Sequence, residues 1–301
     1  MLKNINKRPL YMTDEISSLN ELEQKVATQL FEDGFAILEK FIDPNLIDKA
    51  VSECEGKYSN KSVHHNENRR IQEAWNFSKA VFEIACDKNI VNLLTKIYGR
   101  RAFPFQTLNF EVGTEQKLHS DTIHFNSLPN FFMTGVWVAF EDVSFQNGPV
   151  RYILKSHEIP IFNCDQIGMN IAPGRDPYLY YHEYETFVEK FIERSQFNSQ
   201  YAEIKKGDIF IWSSNLIHGG SKIQDPKSTR LSQVTHYFYD DCVYFTPLTS
   251  DLRNGKIDFR LPMDISRRKK ISLLSALKNM RNEGLNISSI INSILYKKFR
   301  I

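Results

Sequence analysis

Residues 106–125 read QTLNFEVGTEQKLHSDTIHF, and residues 205–238 read KKGDIFIWSSNLIHGGSKIQDPKSTRLSQVTHYF. In the first stretch, a strand, a GTEQ turn and a second strand over KLHSDTIHF are expected. His119 and Asp121 stand two apart on that second strand, so the two-residue period puts both side chains on one face. His218 follows about a hundred residues later, at the end of another strand and just before Gly219–Gly220. Two imidazoles and one carboxylate on one side of a metal leave three positions open, which is the facial triad of non-haem Fe(II) oxygenases. A His-x-Asp pair alone is a weak signal, because the chain has eight histidines. Read singly, His218 is equally a loop histidine satisfied by backbone.

Arg230 strengthens the reading. It lies twelve residues beyond His218 and shares a predicted strand face with Ser232. A guanidinium grips a carboxylate through two parallel hydrogen bonds, and a hydroxyl adds a third. The far carboxylate of 2-oxoglutarate requires such a pair. The competing reading is a surface arginine paired with Asp225 or Asp240.

Outward from these stretches, 19–32 and 72–98 carry helical periodicity, and Pro44 opens a helix running through Lys57. DGFAILEKFID reads as a short strand and a turn, FMTGVWVAFEDV as a strand, and NGPVRYIL as a turn at Asn147–Gly148–Pro149 leading into a strand. Residues 160–200 are irregular, with a helix near 183–194. EIKKGDIFIWSSNLIHGG is strand, turn, strand, and STRLSQVTHYFYDD alternates strongly. Helices first and many short strands after imply an α+β chain with a sandwich or barrel of sheets at its core.

Composition sets outer bounds. Lys and Arg number 38 against 36 Asp and Glu, a formal net charge of +2 that decides nothing by itself. Its placement is uneven: residues 265–301 hold nine basic residues and one acid, Glu283. Domains are therefore drawn as a catalytic body over 1–264 and a basic helical extension over 265–301. Ile271, Leu274, Leu277 and later Ile287, Ile290, Ile291 and Ile294 recur there at helical spacing. A helix pair packed on the core is the first reading. A peripheral contact with an anionic membrane is the second. No nucleic-acid partner is expected, because no recognisable motif accompanies the charge. Cys54, Cys86, Cys164 and Cys242 form no CxxC pair, which argues for reduced thiols and a cytoplasmic location. The N-terminus lacks the apolar core of a secretory signal, and no apolar run approaches the ~20 residues of a membrane span.

From about Asp33 to Asp258 the chain resembles the phytanoyl-CoA dioxygenase family of Fe(II)/2-oxoglutarate oxygenases. The carriers are DGFAILEKFID, QTLNFEVGTEQKLHSDTIHF, GVWVAFEDVSFQNGPVRYILKSHEIP and KKGDIFIWSSNLIHGGSKIQDPKSTRLSQVTHYF, in that order. The resemblance implies a double-stranded β-helix core, jelly-roll or cupin-like, with helices outside. It makes His119, Asp121 and His218 the iron ligands and catalytic centre, Arg230 the 2-oxoglutarate anchor and Ser232 its helper. Trp137 falls where the family often places an aromatic beside the cosubstrate, although it reads equally as a core tryptophan. Gln106 and Asn109 lie on a strand that commonly lines the pocket. Where family members usually carry Pro-Gly-Ser-His, this chain has Leu154–Lys155–Ser156–His157. Asp121 is a carboxylate, which excludes the halogenase variant. The implied activity consumes Fe(II), 2-oxoglutarate and O2 and releases succinate and CO2. It hydroxylates an unactivated C–H bond of a small polar metabolite or glycan-type molecule. Arg70, Gln72, Trp75, His124 and Phe125 are candidates for the substrate face. The alternative is a non-catalytic protein of the same fold that binds a small molecule.

Overall fold

The structure is a computed structural model that describes residues 8–58, 69–162, 166–169, 177–251 and 256–284. The chain opens with α1 (Glu21–Glu32), whose first turn is held by a capping box between Asn20 and Glu23. β1 (Phe35–Leu38) follows, then α2 (Pro44–Cys54), started by Asp43 as N-cap with Pro44 at the first helical position. β2 (Arg70–Gln72) precedes α3 (Lys79–Ala85) and α4 (Lys88–Tyr98). The single helix expected over 72–98 is thus an edge strand and two helices. The break falls where the Asp87 side chain accepts from the amides of Asn89 and Ile90 and starts a new helix. Gly99 ends α4 in the left-handed conformation at φ 72°.

β3 (Ala102–Phe110), β4 (Asn126–Leu128), β5 (Met133–Ala139), β6 (Val150–Ile153), β7 (Ser199–Ala202), β8 (Ile209–Ser213), β9 (His218–Gly220) and β10 (Ser232–Tyr239) build the core. β11 (Val243–Phe245) and β12 (Phe259–Arg260) extend it, and α5 (Pro177–Ser195) covers one end. α5 starts two turns before the expected helix near 183, and β7 had no expected counterpart. Among the described residues, one sheet runs β1-β8-β5-β10-β3-β2, a second runs β7-β6-β9, and a third runs β12-β11-β4. Every strand pairing among the described residues is antiparallel, as in a jelly-roll.

Strand parity separates two cores. Ala36, Leu38, Val136, Val138, Ile209 and Ile211 face the helices and join Val26, Leu30, Ile47 and Leu94. Their neighbours Trp137, Ala139, Phe210 and Trp212 face inward, against Tyr152 and Ala202 of the small sheet. Phe35 and Phe210 bridge the sheets by meeting Tyr152 at 4.5 and 5.1 Å between ring centroids. Each such fully buried apolar side chain contributes about 1.5–3 kcal/mol.

The boundary drawn at 264 falls inside a hairpin, since β13 (Met263–Asp264) pairs with β14 (Lys269–Lys270). Asp264 is also ion-paired to Arg101 at 2.9 Å. α6 (Leu273–Asn282) then lays Ala276 and Met280 against the body, and Asn279 Nδ2 donates to the Cys242 carbonyl at 3.0 Å. Residues 265–284 therefore take the packed arrangement. The second helix read over 287–294, Lys297, Lys298, Arg300 and Cys164 lie outside the described residues. No helix among the described residues is long and apolar enough to cross a membrane.

Candidate active site

His119 does not sit in a regular strand. It makes an isolated bridge to His218, with both backbone hydrogen bonds at 2.9 Å, and the chain then turns into a single 3-10 turn at Asp121. Ser120 drives the turn by accepting from the Thr122 amide. Bridge and turn bring the triad together, in place of the simple strand parity expected for HSD. Gly219 and Gly220 make the approach possible. A Cβ at Gly219 would lie 2.6 Å from the Gln116 carbonyl oxygen, and one at Gly220 would lie 2.6 Å from the Glu115 nitrogen. The HGG sequence is thus the space that lets β9 run against the segment carrying His119.

His119, Asp121 and His218 are buried, and their ligand atoms lie within 4.8 Å of one another. In each histidine Nδ1 meets the carbonyl two residues back, Lys117 at 2.9 Å and Leu216 at 3.0 Å. A carbonyl accepts only, so both rings carry hydrogen on Nδ1 and turn a free Nε2 inward, as a metal-binding histidine must. For Asp121, burial would raise the carboxyl pKa. Facing His218, His236 and His119 outweigh it and hold the group well below the usual carboxylate range. His119 is shifted down, first by burial and then by His218. Two imidazoles and a carboxylate suit a divalent iron.

The cosubstrate candidates divide. Arg230 is buried and stacks beside Trp137, with its guanidinium carbon 5.3 Å from the ring centroid. Its Nη1 donates to the Gly148 carbonyl at 2.9 Å, while Arg230 Nε and Trp137 Nε1 are both buried and have no hydrogen-bond partner among the described residues. Asp240 is committed to Arg101, so the surface ion pair considered for Arg230 does not form there. Burial lowers the Arg230 pKa to about 10, which leaves it cationic at neutral pH. Two unmatched buried donors on one sheet face fit an anionic ligand. Ser232 shares that face, its hydroxyl donating to the Arg230 carbonyl at 3.3 Å. Gln106 is also inward, its amide oxygen accepting from His236 Nδ1 at 3.0 Å.

Asn109 is a correction. Three residues from Gln106 on one strand, it has the opposite parity. Its amide meets Gln233 at 3.4 Å, and Gln233 in turn donates to the Val81 carbonyl of α3 at 3.2 Å. It belongs to the helix side of the sheet.

Of the substrate candidates, His124 and Phe125 lie next to the triad. His124 is 4.4 Å from Tyr181 and Phe125 is 5.1 Å from His236, ring to ring. Arg70 and Gln72 pair with Phe110 and Leu108 on the edge strand β2. Trp75 packs partly against the helix-side core, and its indole donates to Glu73. Four further residues crowd the site. Trp212 and His236 contact Asp121, Gln116 Nε2 is 3.5 Å from His119 Nε2, and Tyr181 accepts from Gln116 at 2.7 Å. His236 had a legible signal, since it stands six residues from Arg230 and an even spacing gives the same strand face. Tyr181 had none, because α5 is brought over the site only by tertiary packing.

A family model described as phytanoyl-CoA dioxygenase (PhyH) matches residues 30–230. The chain belongs to the phytanoyl-CoA dioxygenase family. The phytanoyl-CoA dioxygenase domain-containing protein 1 homolog of Dictyostelium discoideum is 24% identical over 246 residues, 80% of this chain and 81% of that protein. Among solved structures, the chain is similar to the non-haem α-ketoglutarate-dependent epimerase SnoN from nogalamycin biosynthesis. That match has a TM-score of 0.58 and 15% identity, covering 74% of this chain and 85% of SnoN. The carbocyclase SnoK of the same biosynthesis matches with a TM-score of 0.57 and 13% identity, over 76% and 87% of the two chains. EctD from S. alaskensis, solved with 2-oxoglutarate and 5-hydroxyectoine, matches with a TM-score of 0.56 and 17% identity, over 74% and 78%. Family membership and the His-Asp-His triad identify the chain as a 2-oxoglutarate-dependent non-haem iron dioxygenase with a jelly-roll core.

Proposed function

We propose that this dioxygenase hydroxylates a small polar metabolite at an unactivated C–H bond. His119, Asp121 and His218 would hold the iron, and Arg230 with Ser232 and Trp137 the distal carboxylate of 2-oxoglutarate. The carrying observation is a pair of buried donors, Arg230 Nε and Trp137 Nε1, that have no partner among the described residues and lie on the inward sheet face. An apolar interior does not hold a partly unsatisfied guanidinium at no cost. A carboxylate arriving there would satisfy both donors. With iron and 2-oxoglutarate bound, O2 would be the oxidant, one oxygen atom going to succinate as 2-oxoglutarate loses CO2 and the other into the substrate C–H bond. The chain's own part is to orient the two reactants and exclude water from them.

A polar substrate is supported by the groups around His124 and Phe125. Arg260 Nη1 donates to the His124 carbonyl at 3.3 Å and to Thr246 Oγ1 at 3.2 Å, while its guanidinium lies 4.8 Å from the Phe125 ring centroid. Arg70 and Gln72 add polar side chains on the neighbouring edge strand. The comparisons offer no support for a glycan. The test is to incubate the Fe(II)-loaded protein with 2-oxoglutarate and a panel of polar metabolites, following succinate and product mass. Substrate-dependent succinate with a product 16 Da heavier supports hydroxylation. Coupled succinate with a product of unchanged mass, or 2 Da lighter, would replace it with an outcome of the type carried out by the epimerase SnoN or the carbocyclase SnoK.

A further inference from the structure

Asp121 offers two oxygens, and the structure treats them differently. Oδ2 accepts from Trp212 Nε1 at 2.7 Å and lies 3.5 Å from His236 Nε2. Among the described residues no hydrogen bond reaches Oδ1, which is 3.8 Å from His119 Nε2. The arrangement is a row across the sheet. In register, Trp212 of β8 is opposite Gly135 of β5, and Gly135 is opposite His236 of β10, which is opposite Gln106 of β3. Gly135 is bare because the indole lies on it: a Cβ there would sit 2.1 Å from Trp212 Cε2 and 2.6 Å from Nε1. The Gln106 amide oxygen accepts from His236 Nδ1 at 3.0 Å, which anchors His236 to β3 beside the carboxylate.

We propose that Trp212 holds Oδ2 through its indole N–H, so that Oδ1 is the oxygen Asp121 would give iron, with Gly135 as the gap that seats the indole. This rests on the iron-centre reading above and goes beyond it. A carboxylate oxygen already engaged by a ring N–H has less left to give a metal. With one oxygen given, the site would keep room for both the 2-oxo acid and O2. Trp212 is therefore a positioning residue, acting through Asp121.

The test is metal titration of the apoprotein with Mn(II) by calorimetry and with Co(II) by visible absorption, beside circular dichroism for fold. Wild type should bind one ion and Asp121→Ala none. Failure of that control would sink the iron centre itself. Trp212→Phe, which keeps the ring and removes the N–H, should bind about 10–100-fold more weakly, the usual cost of losing an outer hydrogen bond to a ligand. Its Co(II) bands should shift in energy and intensity as the coordination number changes. Gly135→Ala keeps the indole but displaces it and should reproduce the shift, so the proposal does not hang on Trp212→Phe folding. Wild-type affinity and an unchanged Co(II) spectrum in folded Trp212→Phe or Gly135→Ala would overturn the proposal while leaving the triad standing.

Discussion

Arg230 is costly to bury: its Nε has no hydrogen-bond partner among the described residues, and the charge of Glu141 does not offset the desolvation. Its replacement should separate stability from function. In Arg230→Met, removal of the desolvated charge should leave the cosubstrate-free protein as stable as wild type or more so. The KM for 2-oxoglutarate should rise by one to several decades, since losing a buried charge-assisted pair costs about 2–5 kcal/mol at about 1.4 kcal/mol per decade. Thermal melts with and without 2-oxoglutarate check both halves: wild type should gain from the ligand and the variant should not. An unchanged KM would show that another basic residue holds the carboxylate. At Asp121, substitution by Ala should remove about one equivalent of bound Fe(II) and all turnover while circular dichroism stays native. Metal analysis of the purified variant decides it, and full activity would end the triad assignment.

At the scale of elements, the meeting of β9 with the segment 114–119 is the joint on which the site depends. The clash at Gly219 is with backbone oxygens of Gln116 and Lys117, at 2.6 and 3.0 Å, and backbone cannot swing aside as a flexible side chain can. Gly219→Ala should therefore cost about 1–3 kcal/mol of stability. It should also weaken Mn(II) binding, because the strain falls on the His119–His218 bridge. A denaturant midpoint and an affinity equal to wild type would show that the joint has slack. α6 makes a second, independent prediction. Met280 is buried against the cluster of Val243, Phe245 and Phe259. Met280→Ala should destabilise by about 2–4 kcal/mol, read by denaturant unfolding, with metal affinity unchanged because α6 touches none of the triad.

For the molecule as a whole, the basic extension is part of the body as far as Gly284. Asp264, buried at the start of the β13–β14 hairpin, ties Arg101 to it. Ala276, Asn279 and Met280 continue the same surface. Deleting 265–301 should uncover the Val243–Phe245–Phe259 cluster, lower the melting temperature and promote aggregation. A truncated protein that stays monomeric with an unchanged melting temperature would show the extension to be separable.

Read alone, the sequence pointed to His119, Asp121 and His218 as metal ligands and to Arg230 as a candidate anchor, by residue type and spacing, and its resemblance implied the jelly-roll core. Strand parity also sets Asn109 on the helix side and His236 on the same face as Arg230. The tertiary structure decided the rest. His119 and Asp121 meet His218 through a backbone bridge and a 3-10 turn. The helical stretch 72–98 divides where the Asp87 side chain caps a new helix. Trp212, Gln116 and Tyr181 reach the triad from three separate elements. Which oxygen of Asp121 is left for the metal is likewise a matter of which strand neighbours lie across the sheet. Register between strands far apart in the chain is fixed by packing of the whole sandwich, and no local pattern records it.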